Sequence, residues 1–326
     1  MDTAHFLTSG DSEFPAKAHE HSADGHLLVS ANGKIKARCS LWWKETALYE
    51  GKPVGAIGHY EANNHTSAKI LFALAIKKLY ENGVHLAVGP LDGNTWRRYR
   101  FITESGIEPA FFLEPDNPPR YVEHFQEAGF KTLAEYFSAL ALDLTITDPR
   151  LPRAERRLQE AGVTIRQLDA SHFNQELDAI YELSRLSFQE NFLYTPIEQT
   201  AFLAQYLPLR NLIDPRLILI AECENKPVGY VFALPDFAQK QRGETMNTVI
   251  LKTVACLPGR RFAGLGTLLV GRLHSTAHNL GWQRIIHALM HESNNSRNLS
   301  GHYAKTMRRY ALYARRVCSQ KVYESR

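Results

Sequence analysis

The chain carries at residues 251–280 the stretch LKTVACLPGRRFAGLGTLLVGRLHSTAHNL, and this stretch decides the fold that the sequence predicts. Residues 249–257 read as a buried strand, which Pro258 ends because proline lacks the donor that a sheet needs. A glycine loop follows at residues 261–266. Apolar side chains then recur every three or four residues, as on the buried face of a helix that Gly281 caps. The residues of that face are Leu265, Leu268, Leu269, Leu273, Ala277 and Leu280.

The loop between this strand and this helix has the chemistry of an anion site. Gly264 and Gly266 carry no Cβ atom, so the backbone can approach a ligand closely. The N–H groups at a helix N-terminus and the helix dipole attract negative charge, and Arg261 adds a full charge beside them. A pyrophosphate fits this arrangement. A Walker A loop would need Lys before Ser or Thr after the second glycine, and the G-x-G-x-x-G dinucleotide fingerprint is absent.

Arg-x-x-Gly-x-Gly, after a strand that ends in proline, resembles the coenzyme A pyrophosphate loop of the GNAT acetyltransferase superfamily. The resemblance covers residues 163–317, where the predicted elements follow the GNAT order. It implies acetyl-CoA as the cosubstrate, held by the loop and by the open edge of the preceding strand, whose backbone N–H polarises the thioester carbonyl. The residues implied for acetyl-CoA are Val254, Cys256, Arg261, Phe262, Ala263, Gly264, Leu265, Gly266, Thr267, Asn294 and Asn298. The two asparagines fit helix capping equally well.

The first half of the chain repeats this pattern in outline. Residues 67–82 predict a helix that Gly83 ends, and a short buried strand follows. Residues 121–130, YVEHFQEAGF, are similar to the end of many GNAT domains. Before the helix, however, residues 61–66 read EANNHT, and side chains of this size would crowd a phosphate. We therefore predict a degenerate first domain without a coenzyme site.

The predicted fold class is α/β (α+β), with two GNAT-like domains, each a mixed, mostly antiparallel sheet flanked by helices. The last domain is expected to contain a polar loop at residues 235–247 and to end with a helix at residues 296–307 and a strand at residues 310–317. The predicted divisions are a flexible lead-in at residues 1–24, the degenerate domain at 25–145, a turn-rich linker at 146–162 with a short helix at residues 154–161, and the acetyltransferase domain at 163–326.

Composition favours a cytoplasmic protein of two domains. The 326 residues are 44% hydrophobic, and the net charge of +4 does not argue for nucleic acid. The sequence has no apolar run of about 18 residues and no signal-peptide pattern, so we expect no membrane contact. The four cysteines are scattered and suggest neither disulfides nor a C-x-x-C site. No metal site is expected, because the pairs His287 with His291 and His19 with His21 lack a third ligand at a usual spacing.

A proton donor for the departing thiolate is the first catalytic group that acetyl transfer needs. The resemblance implies a tyrosine on the helix after the strand at residues 284–290, and Tyr303 is the nearest match. Its spacing from the preceding asparagines is longer than usual, so Tyr310 and Tyr313 remain alternatives.

A general base for the amine is harder to identify, because the central strand carries no acidic residue. Glu292 is the best single candidate, with Glu190 and Glu222 as alternatives, and a water relay would leave no trace in the sequence. Cys256 fits a small core residue better than an acyl carrier.

The predicted function is an N-acetyltransferase that moves an acetyl group from acetyl-CoA to a primary amine by direct attack. Two alternatives stay open: a non-catalytic acyl-CoA-binding module, and an aminoacyltransferase that uses aminoacyl-tRNA. The intact pyrophosphate loop favours the coenzyme over the tRNA. The expected partners are acetyl-CoA and an unidentified amine, and a homodimer stays open.

Overall fold

The structure is a computed structural model, and it describes residues 3–7, 21–294 and 296–318. The strands are β1 (Thr3–Leu7), β2 (Gly25–Ala31), β3 (Lys34–Trp42), β4 (Leu48–Tyr49), β5 (Lys52–Pro53), β6 (Gly55–Ala62), β7 (Leu86–Gly89), β8 (Phe101–Glu104), β9 (Lys131–Ala141), β10 (Val163–Gln167), β11 (Ile218–Cys223), β12 (Lys226–Pro235), β13 (Thr248–Cys256), β14 (Arg284–His291) and β15 (Lys305–Arg316). The α-helices are α1 (His65–Glu81), α2 (Arg120–Glu127), α3 (Leu151–Glu160), α4 (Phe173–Ser187), α5 (Gln199–Tyr206), α6 (Phe237–Gln241), α7 (Leu265–Asn279) and α8 (Ser296–Ser300).

Thirteen of the described strands form one sheet, and β4 and β5 form a separate hairpin. The order across the sheet is β1-β2-β3-β6-β7-β15-β9-β14-β13-β12-β11-β10, and β8 pairs with β15. Within this described sheet the pairs β6–β7 and β13–β14 are parallel and the others are antiparallel. Each half therefore contributes one parallel pair among antiparallel strands, which confirms the predicted fold class.

The two halves exchange their last strands. β9 comes from the first half but pairs with β14 of the second half, from Ile285 opposite Ala141 to His291 opposite Tyr136. β15 comes from the second half and lies between β7 and β9 of the first half. The halves that were predicted as separate domains thus share one sheet.

Helices cover the sheet on both faces because side chains alternate along each strand. In β13, Leu251 packs toward α7, whereas Ile250 packs toward α4 and α5. In β15, Tyr313 belongs to the core under α1 and α2, and Tyr310 belongs to the opposite face. None of the helices in the described ranges combines the length and the hydrophobicity that a bilayer-spanning helix requires.

The helix predicted at residues 296–307 is wrong in length. It ends at Ser300, whose carbonyl accepts hydrogen bonds from Tyr303 N and Ala304 N in the following turn. β15 then begins at Lys305, because residues 305–309 pair with β9. The long-range strand pairing overrides the helical spacing of the apolar residues.

Three smaller expectations also differ from the structure. Thr3–Leu7, in the lead-in predicted as flexible, forms β1 and pairs with β2; His19 lies outside the described residues. The polar loop expected at residues 235–247 contains α6. The linker helix α3 starts earlier than predicted and packs on α7, with Leu158 fully buried in the core of the second half.

Candidate active site

A gap separates β13 from β14 in the second half. Their parallel register joins residues 248–251 to residues 284–287 and then stops. β13 keeps its partner β12 as far as Cys256, whereas β14 pairs on its other side with β9. No described strand pairs with the edge of residues 252–256 that faces β14, and this is the open edge that was predicted to polarise a thioester.

Irregular backbone in both strands opens this gap. In β13 the register with β12 shifts at Lys252, directly after Leu251, the last residue that pairs with β14. In β14, Leu289 adopts the left-handed conformation with φ of 58°. Its N–H donates to Ser138 Oγ at 3.0 Å, and its carbonyl accepts from Arg100 Nη1 at 2.8 Å. Both backbone groups of Leu289 are therefore bound away from β13.

The glycine loop lies directly after the open edge of β13. Gly264 adopts φ of 84° and forms the N-cap of α7 without a side-chain hydrogen bond to the helix. Gly259, Arg261, Ala263 and Gly264 are exposed. The first turn of α7 therefore presents N–H groups that have no intrahelical acceptor, which is the arrangement that binds phosphate oxygens.

The matching position in the first half is filled by the protein itself. The N-cap of α1 is Asn64, whose side chain accepts a hydrogen bond from Ser67 N at 2.9 Å. An internal acceptor thus occupies the helix N-terminus where a phosphate oxygen would bind. This contrast supports the predicted loss of a coenzyme site from the first half.

Helix α3 brings a positive charge to the loop that the sequence analysis did not identify. A Cβ atom added to Gly264 would lie 3.3 Å from Ala154 Cβ and 3.7 Å from Arg157 Nη2. Arg157 is exposed and lies in a run of arginines in the segment that was assigned to the linker. The run was the available signal, but only the packing of α3 on α7 places it beside the loop.

Arg261 lies in the loop, but its side chain binds residues outside the loop. Its Nη2 donates to Glu224 Oε1 at 2.6 Å and to Cys223 Sγ at 3.1 Å, at the turn between β11 and β12. The side chain is about half exposed, and the Arg261 guanidinium lowers the pKa of Glu224. To contact a phosphate, Arg261 must exchange this carboxylate for the ligand.

The remaining residues of the loop and the helix start pack into the core beneath the loop. Leu265 and Thr267 are buried on α7, and Phe262 is half-buried. A Cβ atom on Gly266 would lie 3.2 Å from Leu299 Cδ1 and 3.9 Å from Cys256 Sγ. The second glycine is therefore needed for close packing of α8 and the end of β13 on the helix.

Cys256 and Val254 are half-buried and pack against the core under α7. Burial raises the pKa of the Cys256 thiol to about 12. The thiol is therefore protonated near neutral pH, and a protonated thiol is a poor nucleophile. This agrees with the preference for a packing role over an acyl carrier.

Tyr303 lies in the turn after α8, not on a helix as predicted, and its side chain is buried. Its ring stacks on His274 with centroids 4.1 Å apart. Burial, followed by the Asp148 charge, raises the pKa of Tyr303, so the hydroxyl keeps a proton that it can donate. His274 Nε2 in turn lies 2.9 Å from His287 Nε2, and burial lowers the pKa of both rings, to about 4 for His274.

The alternative tyrosines are core residues of the exchanged strand β15. Tyr310 bonds to Ser138 Oγ at 3.0 Å and to Glu114, and Tyr313 packs under α1 and α2. The asparagines proposed for the coenzyme are both exposed: Asn294 precedes α8 and Asn298 lies within it.

Glu292 is placed at the end of β14, but its carboxylate is occupied. Arg309 Nη1 donates to Oε1 at 2.6 Å, and Arg297 Nη1 lies 3.1 Å from Oε2. Glu222 is likewise bound to Arg166 at 2.7 Å, and Glu190 is exposed. Neither Glu292 nor Glu222 can accept a proton from an amine without first leaving an arginine.

His291, the last residue of β14, is a polar group on the opposite side of the gap that the sequence analysis did not select for catalysis. Its Nδ1 accepts from Ser293 N at 3.1 Å, so the neutral ring carries its proton on Nε2. That Nε2 is buried and has no hydrogen-bond partner among the described residues. The ring packs edge-on against Tyr136 and near Phe192. A buried N–H without a described acceptor, at the end of a strand that bounds the gap, makes His291 a candidate donor.

The solved structures with which this chain was compared define the class of fold. It is similar to a GCN5-related N-acetyltransferase from Anabaena variabilis, with a TM-score of 0.55, 8% identity, and coverage of 97% of this chain and 73% of that one. A tandem GNAT protein from the clavulanic acid biosynthesis pathway has a TM-score of 0.50 and 12% identity, covering 98% and 100% of the two chains. This chain therefore has the tandem GNAT fold.

Two curated relatives are similar in sequence. The bacterial ceramide synthase of Caulobacter vibrioides is 26% identical over 191 residues, which are 57% of this chain and 49% of that protein. Protein YghO of Escherichia coli K12 is 24% identical over 208 residues, 63% of this chain and 52% of that protein. The chain thus matches about half the length of each relative. No model of a protein family matches the sequence.

Proposed function

We propose that this chain is an acyl-CoA-dependent N-acyltransferase whose second half carries the reaction, with acetyl-CoA as the donor and a primary amine as the acceptor. The observation that carries the proposal is the contrast between Gly264 and Asn64. Gly264 leaves the N–H groups at the start of α7 without a side-chain acceptor, next to the unpaired edge of β13. Asn64 provides such an acceptor at the equivalent N-terminus of α1. Open donors at that place suit the pyrophosphate of coenzyme A.

The reaction follows from the gap between β13 and β14. The amine nitrogen attacks the thioester carbon, the carbon–sulfur bond breaks, and the amide forms. Backbone N–H groups on the open edge of residues 252–256 stabilise the charge on the carbonyl oxygen. The thiolate gains one proton, for which Tyr303 is the candidate donor, and the amine loses one. Because Glu292 is held by two arginines, we assign the second proton to water that enters the gap.

The experiment compares two matched substitutions at equivalent helix N-termini. Gly264→Asp places a carboxylate where the phosphates would bind, and aspartate tolerates the positive φ better than most residues. Asn64→Asp places the same carboxylate at the closed N-terminus of α1. We expect calorimetry to show acetyl-CoA binding in the native chain and in Asn64→Asp, and none in Gly264→Asp.

Equal affinity in all three proteins would contradict the assignment of the coenzyme to the second half. Binding without release of free coenzyme A across a panel of primary amines would favour the non-catalytic alternative. Circular dichroism confirms that each variant is folded.

A second candidate donor and acceptor come from the relative in Caulobacter. A ceramide is an N-acylated sphingoid amine, so that relative's name describes the same bond with a long acyl chain. A long-chain acyl-CoA and a lipid amine are therefore tested in parallel with acetyl-CoA and small amines. The ratio of kcat/KM for palmitoyl-CoA to that for acetyl-CoA, each with sphinganine and with a small amine, decides between the two.

A further inference from the structure

Three metal-ligating side chains converge in the first half of the chain. His21 Nδ1 lies 2.8 Å from His59 Nε2, and His59 Nε2 lies 3.7 Å from Asp92 Oδ2. The three ligand atoms all lie within 4.8 Å of one another. We propose that His21, His59 and Asp92 bind a divalent transition-metal ion, with zinc as the expected metal.

The donor set selects the class of metal. Two imidazole nitrogens and one carboxylate oxygen suit zinc, whereas magnesium and calcium prefer oxygen ligands. Three protein ligands leave a fourth tetrahedral position for water or a ligand oxygen. Small outward shifts of the two rings, from their present hydrogen-bond distance, make room for an ion between them.

Neighbouring groups fix the orientation of His59. Its Nδ1 lies 2.9 Å from Ser40 Oγ, which also lies 2.8 Å from His26 Nδ1. When His59 donates from Nδ1 to Ser40, its Nε2 is left as an acceptor toward His21 and Asp92. Outer hydrogen bonds of this kind orient ligating histidines in known metal sites. Asp92 is fixed in the same way, because its Oδ1 accepts from His59 N at 2.7 Å and Oδ2 remains for the ion.

The backbone at His59 is strained in a way that brings the ligands together. His59 has φ of 45° although it lies within β6. A Cβ atom on the preceding Gly58 would lie 2.4 Å from Leu91 O and 2.5 Å from Asp92 Oδ1, so only glycine allows Asp92 to approach the strand. Backbone strain of this kind is unfavourable and is concentrated at functional sites.

Two hydrogen bonds to its backbone carbonyl hold His21 in place. Trp42 Nε1 donates to this oxygen at 2.9 Å and Arg97 Nη1 at 2.8 Å. The Asp92 carboxylate is buried, with 8% of the residue exposed, beside these two histidines. A cation at this point would offset the cost of burying this negative charge, on which the nearby Arg97 and Arg98 also act.

The cluster lies at the position that corresponds to the acyl-transfer gap of the second half. β6 and β7 pair only through Gly55 and Ala56, and His59 is three residues beyond the last pair. Val254 is likewise three residues beyond Leu251, the last paired residue of β13. The half that lacks the glycine loop therefore carries ligating side chains where the other half carries an open edge.

The test uses the full chain with its affinity tag removed, because a histidine tag binds metal itself. The protein is stripped with a chelator, dialysed against zinc, and analysed for bound metal by mass spectrometry. We expect about one zinc ion per chain, and cobalt added in its place should give the visible absorption of a tetrahedral site. His59→Asn, which tolerates the positive φ, and Asp92→Asn should each remove the bound metal. Ser40→Ala should weaken binding by about tenfold while keeping all three ligands.

The control is His65→Asn, which removes an exposed histidine at the start of α1 that bonds to Glu127 of α2 and should leave the metal content unchanged. His21→Gln provides a second ligand variant if the substitutions within the sheet fail to fold. A native chain that holds no zinc and shows no cobalt spectrum would overturn the proposal. So would equal metal content in the native chain and in folded His59→Asn or His21→Gln.

Discussion

The backbone N–H of Leu289 donates to the hydroxyl of Ser138 across 3.0 Å, and this bond joins the two halves of the protein at the edge of the gap. Ser138 lies on β9, the strand that the first half supplies to the second. Leu289 would otherwise be free to extend β14 alongside β13. The shape of the proposed active site therefore depends on a side chain from the half without a coenzyme loop.

Ser138→Ala should lower both the stability of the protein and its turnover, although it removes only one hydroxyl group. The substitution leaves the half-buried N–H of Leu289 without its acceptor, at a cost of about 1 kcal/mol in the free energy of unfolding. Urea denaturation measures this cost. Turnover at saturating acyl-CoA should also fall, because the strand that bounds the gap is no longer fixed. Ser138→Thr, which keeps the hydroxyl, provides the comparison, and equal stability of the alanine variant and the native chain would contradict the assigned role.

Arg157→Ala should weaken the binding of acyl-CoA. The guanidinium lies beside Gly264, and removal of one exposed charge from an anion site should raise the dissociation constant by about three- to tenfold at low salt. Calorimetry at two salt concentrations measures this, and the difference should shrink at high salt. Arg156→Ala, one residue earlier on α3, is the matched control. If both variants bind equally, the effect is one of general charge and not of position.

His291→Phe should lower kcat while leaving the fold intact. Phenylalanine keeps the ring contacts with Tyr136 and Phe192 but removes the buried Nε2–H, which points to no partner in the described part of the chain. Loss of one donor to a developing oxyanion should reduce kcat by about 100- to 1000-fold with little change in KM. Steady-state kinetics measure both constants. Unchanged kcat and KM would remove His291 from the site.

Stability should fall as the pH drops below about 6.5, the pKa of histidine in an unfolded chain. Burial lowers the pKa of His274 to about 4 in the folded state, so the unfolded state binds more protons between these values. The stabilisation is complete above the unfolded pKa and is lost toward the folded one, by about 1.4 kcal/mol for each pH unit from this ring alone. Urea midpoints at pH 7 and pH 5 measure the loss. His274→Gln, which does not titrate, should show a smaller difference between the two pH values.

The sequence predicted the local parts of the site well. β13, the glycine loop and α7 were placed to within a residue or two, because proline, positive-φ glycine and helical spacing act over short distances. Gly264 needs its glycine for the φ of 84° that starts α7. The left-handed Gly281 follows α7 as predicted.

The parts that depend on long-range packing were not predicted. Arg157 reaches the loop only because α3 packs on α7, and Tyr303 leaves its helix only because β15 starts early to pair with β9. The cluster of His21, His59 and Asp92 joins three segments with no short motif between them. Residue spacing reports on neighbours along the chain, and these contacts join residues that are far apart in it.

The position of β15 has a consequence for synthesis. This strand follows every other described strand in the sequence, yet it lies in the middle of the sheet between β7 and β9. Until it emerges from the ribosome, both of those strands present unpaired inner edges, which are templates for aggregation. The edges of β7 and β9 that β15 joins therefore stay unpaired through nearly the whole of translation. A chaperone that shields strand edges should raise the yield of folded protein.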